Sequence, residues 1–321
     1  MLDLPSPAFE TLAYHNANLT SLRLDFCGHL NDASLKVFST SLPSLQRLEL
    51  FGPFLVRPAA WQAFFKSHRK LEAFLITQSP RFDNDCIDSL VDNCSDIKEL
   101  RLKEIGHMND YFLKQIRILK KGLRHLDIAD PTESCTEGAM ISLLRFIGKS
   151  LTYLNVSKHS LLGEKFLSKG LQLYAKALES LTISHLPELT DEDVSKFFGA
   201  WKNPPLKSLD ISRNEVLGSL SLKSLVKHSG EELEELNING WKDVDEPALK
   251  SIGLAKELKK LDVGWCRAVD DFLLKTWFEG ELVKGVQEGG CKNLQEVKVW
   301  GCNKISHSCP RKVGSCNGCF G

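Results

Sequence analysis

The sequence predicts an α/β solenoid, with a parallel sheet along its concave face and helices along its convex face. A phrase of the form L-x-x-L-x-L recurs along the 321 residues; successive phrases open 25 to 28 residues apart, with a last interval of 36. Self-similarity at this period is the signature of a leucine-rich repeat, whose apolar faces are buried only by neighbouring repeats. We therefore predict a leucine-rich-repeat horseshoe of about eleven repeats. The phrases open at Leu19, Leu45, Leu71, Ile97, Leu123, Leu151, Leu178, Leu206, Leu233, Leu258 and Leu294.

The third repeat illustrates how one repeat is expected to fold. Leu71, Phe74 and Ile76 define the buried side of a short strand, so the residues between them lie on the concave face. Acidic residues from Asp83 onward then precede apolar residues at helical spacing, which is typical of a capped helix N-terminus. In the seventh repeat, Thr190 is the predicted N-cap.

Three segments are predicted along the chain: a partial helical half-repeat at residues 1–18, the solenoid at 19–303 and a C-terminal tail at 304–321. The long interval before the last phrase predicts a loop on the convex side near residues 279–290.

Composition limits the classes of function. Lys+Arg and Asp+Glu are both 41, so tight non-specific binding to nucleic acid is not indicated. The N-terminus has no pattern of a secretory signal, and no apolar run is long enough to span a membrane. Ten cysteines without such a signal indicate reduced thiols in the cytosol or nucleus. Phosphate-binding glycine loops, nucleophile elbows and paired metal-ligand motifs are missing, so we predict neither an enzyme nor a cofactor.

We call the first residue of each phrase its opener. In many leucine-rich repeats, the eighth position after the opener holds an Asn or Cys that binds the backbone of the turn. Only Asn214 and the cysteines of the first and last repeats follow this rule, which resembles the cysteine-containing subclass common among ubiquitin-ligase receptors. The column contains Cys27, Pro53, Ser79, Ile105, Pro131, His159, Leu186, Asn214, Trp241, Cys266 and Cys302.

A zinc site is the one metal site for which the sequence offers ligands. Zinc requires four Cys or His ligands, often from two close pairs. Cys302, Cys309, Cys316 and Cys319 could supply them, but only the last two are closely spaced. Unpaired thiols are the favoured interpretation, so no metal is predicted.

Partner binding is predicted on the concave face. Asp210, Asn237 and Asp262 form a polar ladder that suits a polar or basic peptide, although a solvated face explains it equally well. Trp300 is expected on the concave face and Trp265 at its rim, as possible interface anchors; core and capping positions are the alternative. The candidate binding residues are Arg101, Lys103, Asp210, Asn237, Asn239, Asp262, Trp265 and Trp300.

Several longer phrases are more specific than the repeat itself. They are LELFGPFLV at 48–56 with Trp61, LEELNINGW at 233–241, LDVGWCR at 261–267, VWGCN at 299–303 and CPRK at 309–312. Together they resemble the fungal leucine-rich-repeat subunit of the global-genome nucleotide excision repair complex. The sequence departs from that family in lacking its basic N-terminal region and its closing apolar strand after Val313.

The resemblance implies a non-enzymatic nuclear subunit. Members of that family act with a Swi/Snf-type ATPase in recognising lesions in non-transcribed DNA, and as a receptor-like part of an elongin–cullin ubiquitin ligase. Damaged DNA would be contacted mainly through the complex.

Two alternative functions remain open. An F-box receptor of a Skp1–cullin ligase needs a longer helical segment than the 18 residues before Leu19. Direct binding of damaged DNA by the repeats predicts a steep dependence of affinity on salt.

Overall fold

The computed structural model describes residues 5–106, 108–133, 135–283 and 286–306. The chain forms two compact units, unit 1 from Met1 to His159 and unit 2 from Ser160 to Gly321. Within each unit a strand, a turn and a helical segment follow one another repeatedly, which confirms the leucine-rich-repeat fold class.

Unit 1 contains strands β1 to β6 and helices α1 to α6. The strands are β1 (Ser21–Leu24), β2 (Arg47–Phe51), β3 (Ala73–Thr77), β4 (Glu99–Lys103), β5 (His125–Asp127) and β6 (Tyr153–Asn155). The helices are α1 (Ser6–His15), α2 (Asp32–Ser41), α3 (Pro58–Ser67), α4 (Asn84–Asn93), α5 (Asp110–Ile116) and α6 (Glu137–Ile147), with a 3₁₀ turn at Arg117–Leu119.

Unit 2 contains strands β7 to β13 and helices α7 to α11. The strands are β7 (Ser180–Thr182), β8 (Ser208–Asp210), β9 (Glu235–Asn237), β10 (Lys260–Asp262), β11 (Glu281–Val283), β12 (Val286–Glu288) and β13 (Glu296–Lys298). A π-helical turn at Phe166–Leu171 runs into α7 (Gln172–Tyr174), followed by α8 (Asp191–Ala200), α9 (Ser219–Ser229), α10 (Glu246–Ser251), a 3₁₀ turn at Ile252–Leu254 and α11 (Asp271–Glu279).

Repeat strands pair in parallel, and the same repeat position is in register from strand to strand. In unit 1, Leu22 lies opposite Leu48, which lies opposite Phe74. In unit 2, Leu209 lies opposite Leu236. These side chains are buried, so they form the apolar core between strands and helices. The alternate strand side chains lie on the other side, which we call the open sheet face.

Each repeat strand is followed by a residue with left-handed backbone, seven positions after the opener. Its φ angle lies between 52° and 87° in all eleven repeats, and only three of these residues are glycine. We call this the rim position because it ends the strand at one edge of the sheet. The rim residues are Phe26, Gly52, Gln78, Glu104, Asp130, Lys158, His185, Arg213, Gly240, Trp265 and Gly301.

At the next position, several side chains bind the backbone, and all but that of Cys27 reach the preceding repeat. Asn214 Nδ2 donates to the carbonyls of Ile183 and Ile211, both at 2.9 Å, while its Oδ1 accepts from the amide of Leu186 at 2.6 Å. The cysteines of this column each donate from Sγ to a backbone carbonyl. They are Cys27, Cys266 and Cys302, at 3.0, 3.6 and 3.3 Å.

The prediction that only Asn214 and the cysteines bind the backbone from this column was too narrow. His159 Nε2 lies 2.8 Å from the carbonyl of Ile128, and Trp241 Nε1 donates to the carbonyl of Ile211 at 2.9 Å. Both are fully buried. A ring N–H can therefore bind the preceding repeat as an amide or thiol does, although the residue type differs.

Helix N-termini are capped as the sequence predicts. Thr190 and Asp193 form a capping box at the start of α8, and Asp83 caps α4. The first acid of α8 also binds the following repeat, because Asp191 accepts from the amides of Gly218 and Ser221. These acids therefore order the loops between repeats as well as their own helix.

The segment predicted as a loop near 279–290 is instead a short antiparallel pair, in which β11 lies beside β12. Val283 and Val286 are opposite each other, and β-branched residues favour strands. No helix within the described part of the chain is both long and apolar enough to span a bilayer.

Candidate partner-binding surfaces

The open sheet face of unit 1 carries a closed network of ion pairs. Glu49 lies 3.0 Å from Arg101, 3.5 Å from Arg47 and 3.7 Å from Arg23. Arg101 also pairs with Asp127 at 3.2 Å. Each of these cations therefore has a carboxylate partner within the protein.

This network covers the central strand β3. Glu49 and Arg101 belong to β2 and β4, so their ion pair passes across Leu75, which is 1% exposed. Arg47 and Glu99 form the equivalent pair across Ala73, which is also buried. An apolar strand residue on the open face is thus shielded by guanidinium groups, whose stems and planes pack well on apolar surface.

The network changes the interpretation of two predicted binding residues. Arg101 is already engaged by two carboxylates, and Lys103 Nζ lies 3.6 Å from Glu104. Arg47 and Glu99 belong to the first residue column of each strand, which the sequence prediction omitted from its candidates. Alternation along the strand places this column on the same face as the predicted columns, so the sequence was sufficient to identify it.

Each residue of the predicted ladder in unit 2, Asp210, Asn237 and Asp262, has a structural role. Oδ1 of Asp210 and Oδ1 of Asp262 accept from the backbone amides of Ser212 and Gly264, both at 3.0 Å. Oδ1 of Asn237 likewise accepts from the backbone amide of Asn239. These Asx-type turns stabilise the end of each strand before the left-handed rim residue. The recurrence of Asp and Asn is therefore explained partly by backbone geometry.

The ladder residues also contact one another and line a shallow groove. Asn237 Nδ2 donates to Asp210 at 3.0 Å, and Asn239 Nδ2 donates to Asp262 at 3.1 Å. Lys260 forms the adjacent ion pair with Glu235 at 2.6 Å. The groove measures about 190 Å³ and is lined by Ser208, Leu209, Asp210, Glu235, Leu236, Asn237, Lys260, Leu261, Asp262, Glu296 and Lys298.

The tryptophans of the last repeats fall where repeat position predicts. Trp241 is buried, whereas Trp265 is 61% exposed and Trp300 is 49% exposed. Trp265 and Trp300 are therefore not core residues, which leaves the capping alternative for these two. The remaining tryptophans, Trp61, Trp201 and Trp277, are buried.

A second groove, of about 620 Å³, lies beside Trp265. We call it the rim groove, because four rim residues contribute to it. Arg213 and His185 were missed as candidates, although their place seven residues after an opener was available from the sequence. The lining residues are His185, Leu186, Pro187, Arg213, Asn214, Glu215, Val216, Asn239, Gly240, Lys242 and Trp265.

The zinc candidates are only partly within the described residues. Cys302 is buried, its thiol donates to the carbonyl of Val263, and burial raises its pKa to about 11. Cys309, Cys316 and Cys319 lie outside the described residues. Across the residues that the structure does describe, no three His, Cys, Asp or Glu side chains are grouped to hold a metal ion.

Comparison with known proteins connects this fold to DNA repair. The family described as Leucine Rich repeat matches residues 15–39 and 202–226. The chain is 30% identical over 300 residues to DNA repair protein rhp7 of Schizosaccharomyces pombe. It is 28% identical over 314 residues to DNA repair protein RAD7 of Saccharomyces cerevisiae. These matches cover 92% and 95% of this chain.

The chain is homologous to the Rad7 and rhp7 DNA repair proteins. It spans about half the length of these curated relatives, 51% of rhp7 and 54% of RAD7. A crystal structure of the yeast Rad7 and Elc1 complex matches with a TM-score of 0.77 and 26% identity, covering 96% of this chain and 76% of that one. The resemblance to a fungal leucine-rich-repeat DNA repair protein, predicted from the longer phrases, is therefore confirmed.

Proposed function

We propose that this chain is the leucine-rich-repeat adaptor of a nuclear DNA repair complex, and that an elongin-type subunit is one of its partners. The observation that carries the proposal is homology to two DNA repair proteins over more than nine-tenths of the chain. The fold likeness to Rad7 in its complex with Elc1 supports the elongin-type partner.

The more specific role that we propose is in global-genome nucleotide excision repair. There the chain would work with a Swi/Snf-type ATPase and serve as the receptor-like subunit of a cullin ubiquitin ligase. An adaptor without catalytic activity suits a fold whose strand residues are largely engaged in turns and ion pairs, such as Asp210 with Ser212 and Arg101 with Glu49.

Damaged DNA would be reached mainly through the complex. The open face of unit 1 carries Arg23, Arg47 and Arg101, but each is paired with a carboxylate. Paired arginines release few counterions from a phosphate backbone, so they contribute little to DNA affinity. Unit 2 carries the candidate contact residues Asp210, Asn237, Asn239, Asp262, Trp265 and Trp300, which we propose for protein partners.

The test is affinity purification of the tagged chain from nuclear extract. The informative variant carries Asp210→Asn and Asp262→Asn, which removes two charges but keeps the oxygens that accept from the amides of Ser212 and Gly264. A matched control replaces Glu192 and Lys196, an exposed ion pair on α8, with glutamine and methionine.

Wild type and control are expected to retain an elongin-type subunit and a Swi/Snf-type ATPase. The double variant is expected to recover at least one of them about fivefold less. Absence of both partners from the wild-type sample would contradict the proposed function. Full recovery with the double variant would exclude the ladder as a contact surface while leaving the adaptor role in place.

A further inference from the structure

We propose that the rim groove of unit 2 binds an acidic peptide segment of a partner protein. In this proposal a large apolar side chain of the peptide lies against Trp265, and a neighbouring carboxylate pairs with Arg213. The proposal concerns a surface distinct from the ladder, and it does not depend on the repair function.

The repeat fold does not require a large aromatic residue at the exposed position of Trp265, since other repeats have residues such as Gln78 or Asp130 there. It occupies a left-handed rim position with φ 63°, a backbone conformation that is unfavourable for a bulky side chain. Its indole covers Gly301, yet the residue remains 61% exposed. Exposed aromatic residues are typical of binding sites, because aromatic anchors contribute strongly to interfaces.

The rest of the apolar lining adjoins Trp265 and is held in place. Val216 is 63% exposed, and Pro187 is exposed beside it in the groove wall. Asn214 fixes this wall through its hydrogen bonds to Leu186 and Ile211. A groove whose walls are already ordered can bind a peptide with a smaller entropic cost.

Charge in the groove favours an acidic ligand. Glu215 is neutralised by Lys242 at 2.7 Å, and the hydrogen bond and charge of this lysine lower the pKa of the carboxyl. Among the described residues, no hydrogen bond or ion pair engages the guanidinium of Arg213, which is exposed. His185 is exposed on the same wall and offers a ring N–H to an acceptor on the ligand. The lining therefore carries a net positive charge.

The same charges disfavour single-stranded nucleic acid. Such a ligand presents a phosphate at every nucleotide and is bound by several cations along a groove. Here Arg213 is the one lining cation, within the described chain, that is always charged and lacks a carboxylate partner.

The test is selection of a phage-displayed library of random nonamer peptides on the immobilised chain. The most enriched peptides are then synthesised, labelled and titrated by fluorescence anisotropy. The variants are Trp265→Ala and Arg213→Glu. The matched controls are Phe272→Ala, an exposed aromatic residue outside the groove lining, and Arg267→Glu, an exposed arginine also outside it. Thermal unfolding of each variant verifies that it is folded.

We expect enriched peptides that carry two or more acidic residues beside a large apolar residue. Trp265→Ala and Arg213→Glu each weaken binding by about tenfold or more, whereas both controls change it by less than about twofold. Enrichment of basic peptides, absence of any enrichment, or equal loss with Phe272→Ala would overturn the proposal. So would displacement of the peptide by oligo-dT, because the groove would then be a nucleic-acid site.

Discussion

The indole of Trp265 lies directly over Gly301. A Cβ atom placed on Gly301 would approach the indole ring to 2.5 Å, and this glycine has φ 69°. These two adjacent rim positions are therefore complementary in size, because the large side chain of Trp265 occupies the space that a side chain on Gly301 would need.

Gly301→Ala is expected to destabilise the chain through two separate effects. The left-handed backbone costs an alanine about 1 kcal/mol, and displacement of the indole adds to this. In a Trp265→Ala background only the backbone effect remains, so the loss becomes smaller. Urea unfolding of the four proteins of this double-mutant cycle measures the difference. An equal loss in both backgrounds would show that the contact is unimportant.

Asn214→Ala is expected to lower the free energy of unfolding by about 3 kcal/mol, because it leaves two buried carbonyls and one amide without their partner. Ser79→Ala is the matched control in the same repeat column. The Ser79 hydroxyl is buried and has no hydrogen-bond partner among the described residues, so its loss changes stability by less than about 0.5 kcal/mol. Equal effects in urea unfolding would refute the inter-repeat role of this column.

The stability of the chain is expected to fall on acidification through His159. Burial lowers the pKa of this imidazole to about 4, while the unfolded chain titrates near the ordinary value of 6.5. Between pH 6.5 and 4 the unfolded state therefore binds a proton that the folded state does not, and up to about 3 kcal/mol is lost.

His159→Asn keeps a side-chain donor at the Ile128 carbonyl and removes the titrating group. Urea unfolding at several pH values between 7 and 4.5 is expected to give a shallower decline for the variant than for wild type. Parallel curves would mean that His159 does not contribute to the acid sensitivity.

Glu49→Gln is expected to lower the free energy of unfolding by about 1–2 kcal/mol. The Glu49 side chain is only 15% exposed, and it forms ion pairs with three arginines. Glu72→Gln is the control: Glu72 has a single exposed partner, Lys98, at 2.7 Å, and its loss costs less than about 0.5 kcal/mol. Comparable losses in thermal or urea unfolding would contradict the account of the unit 1 network.

The sequence was sufficient for the features that each repeat specifies locally. The leucine spacing predicted the buried strand positions, and the acid-rich helix starts predicted caps such as Thr190. The pairing of Glu49 with Arg101 was not predictable in the same way, since it joins residues 52 positions apart across an intervening strand. The rim groove was missed because its rim residues occupy the seventh position after each opener, where no single residue type recurs through the repeats.

The substitution of His159 and Trp241 for Asn and Cys illustrates the same limit. A pattern based on residue type recognises a small polar group in the turn, but not a ring N–H that reaches the preceding repeat. The hydrogen bond depends on where the ring lies in the core, which only the packed structure determines.

The removal of ultraviolet photoproducts from non-transcribed DNA tests the proposed repair role most directly. In cells lacking this chain, we expect cyclobutane pyrimidine dimers to persist in non-transcribed DNA, and wild-type chain to restore their removal. The Asp210→Asn, Asp262→Asn variant is expected to restore it only in part. An unchanged rate of dimer removal in cells without the chain would contradict the account.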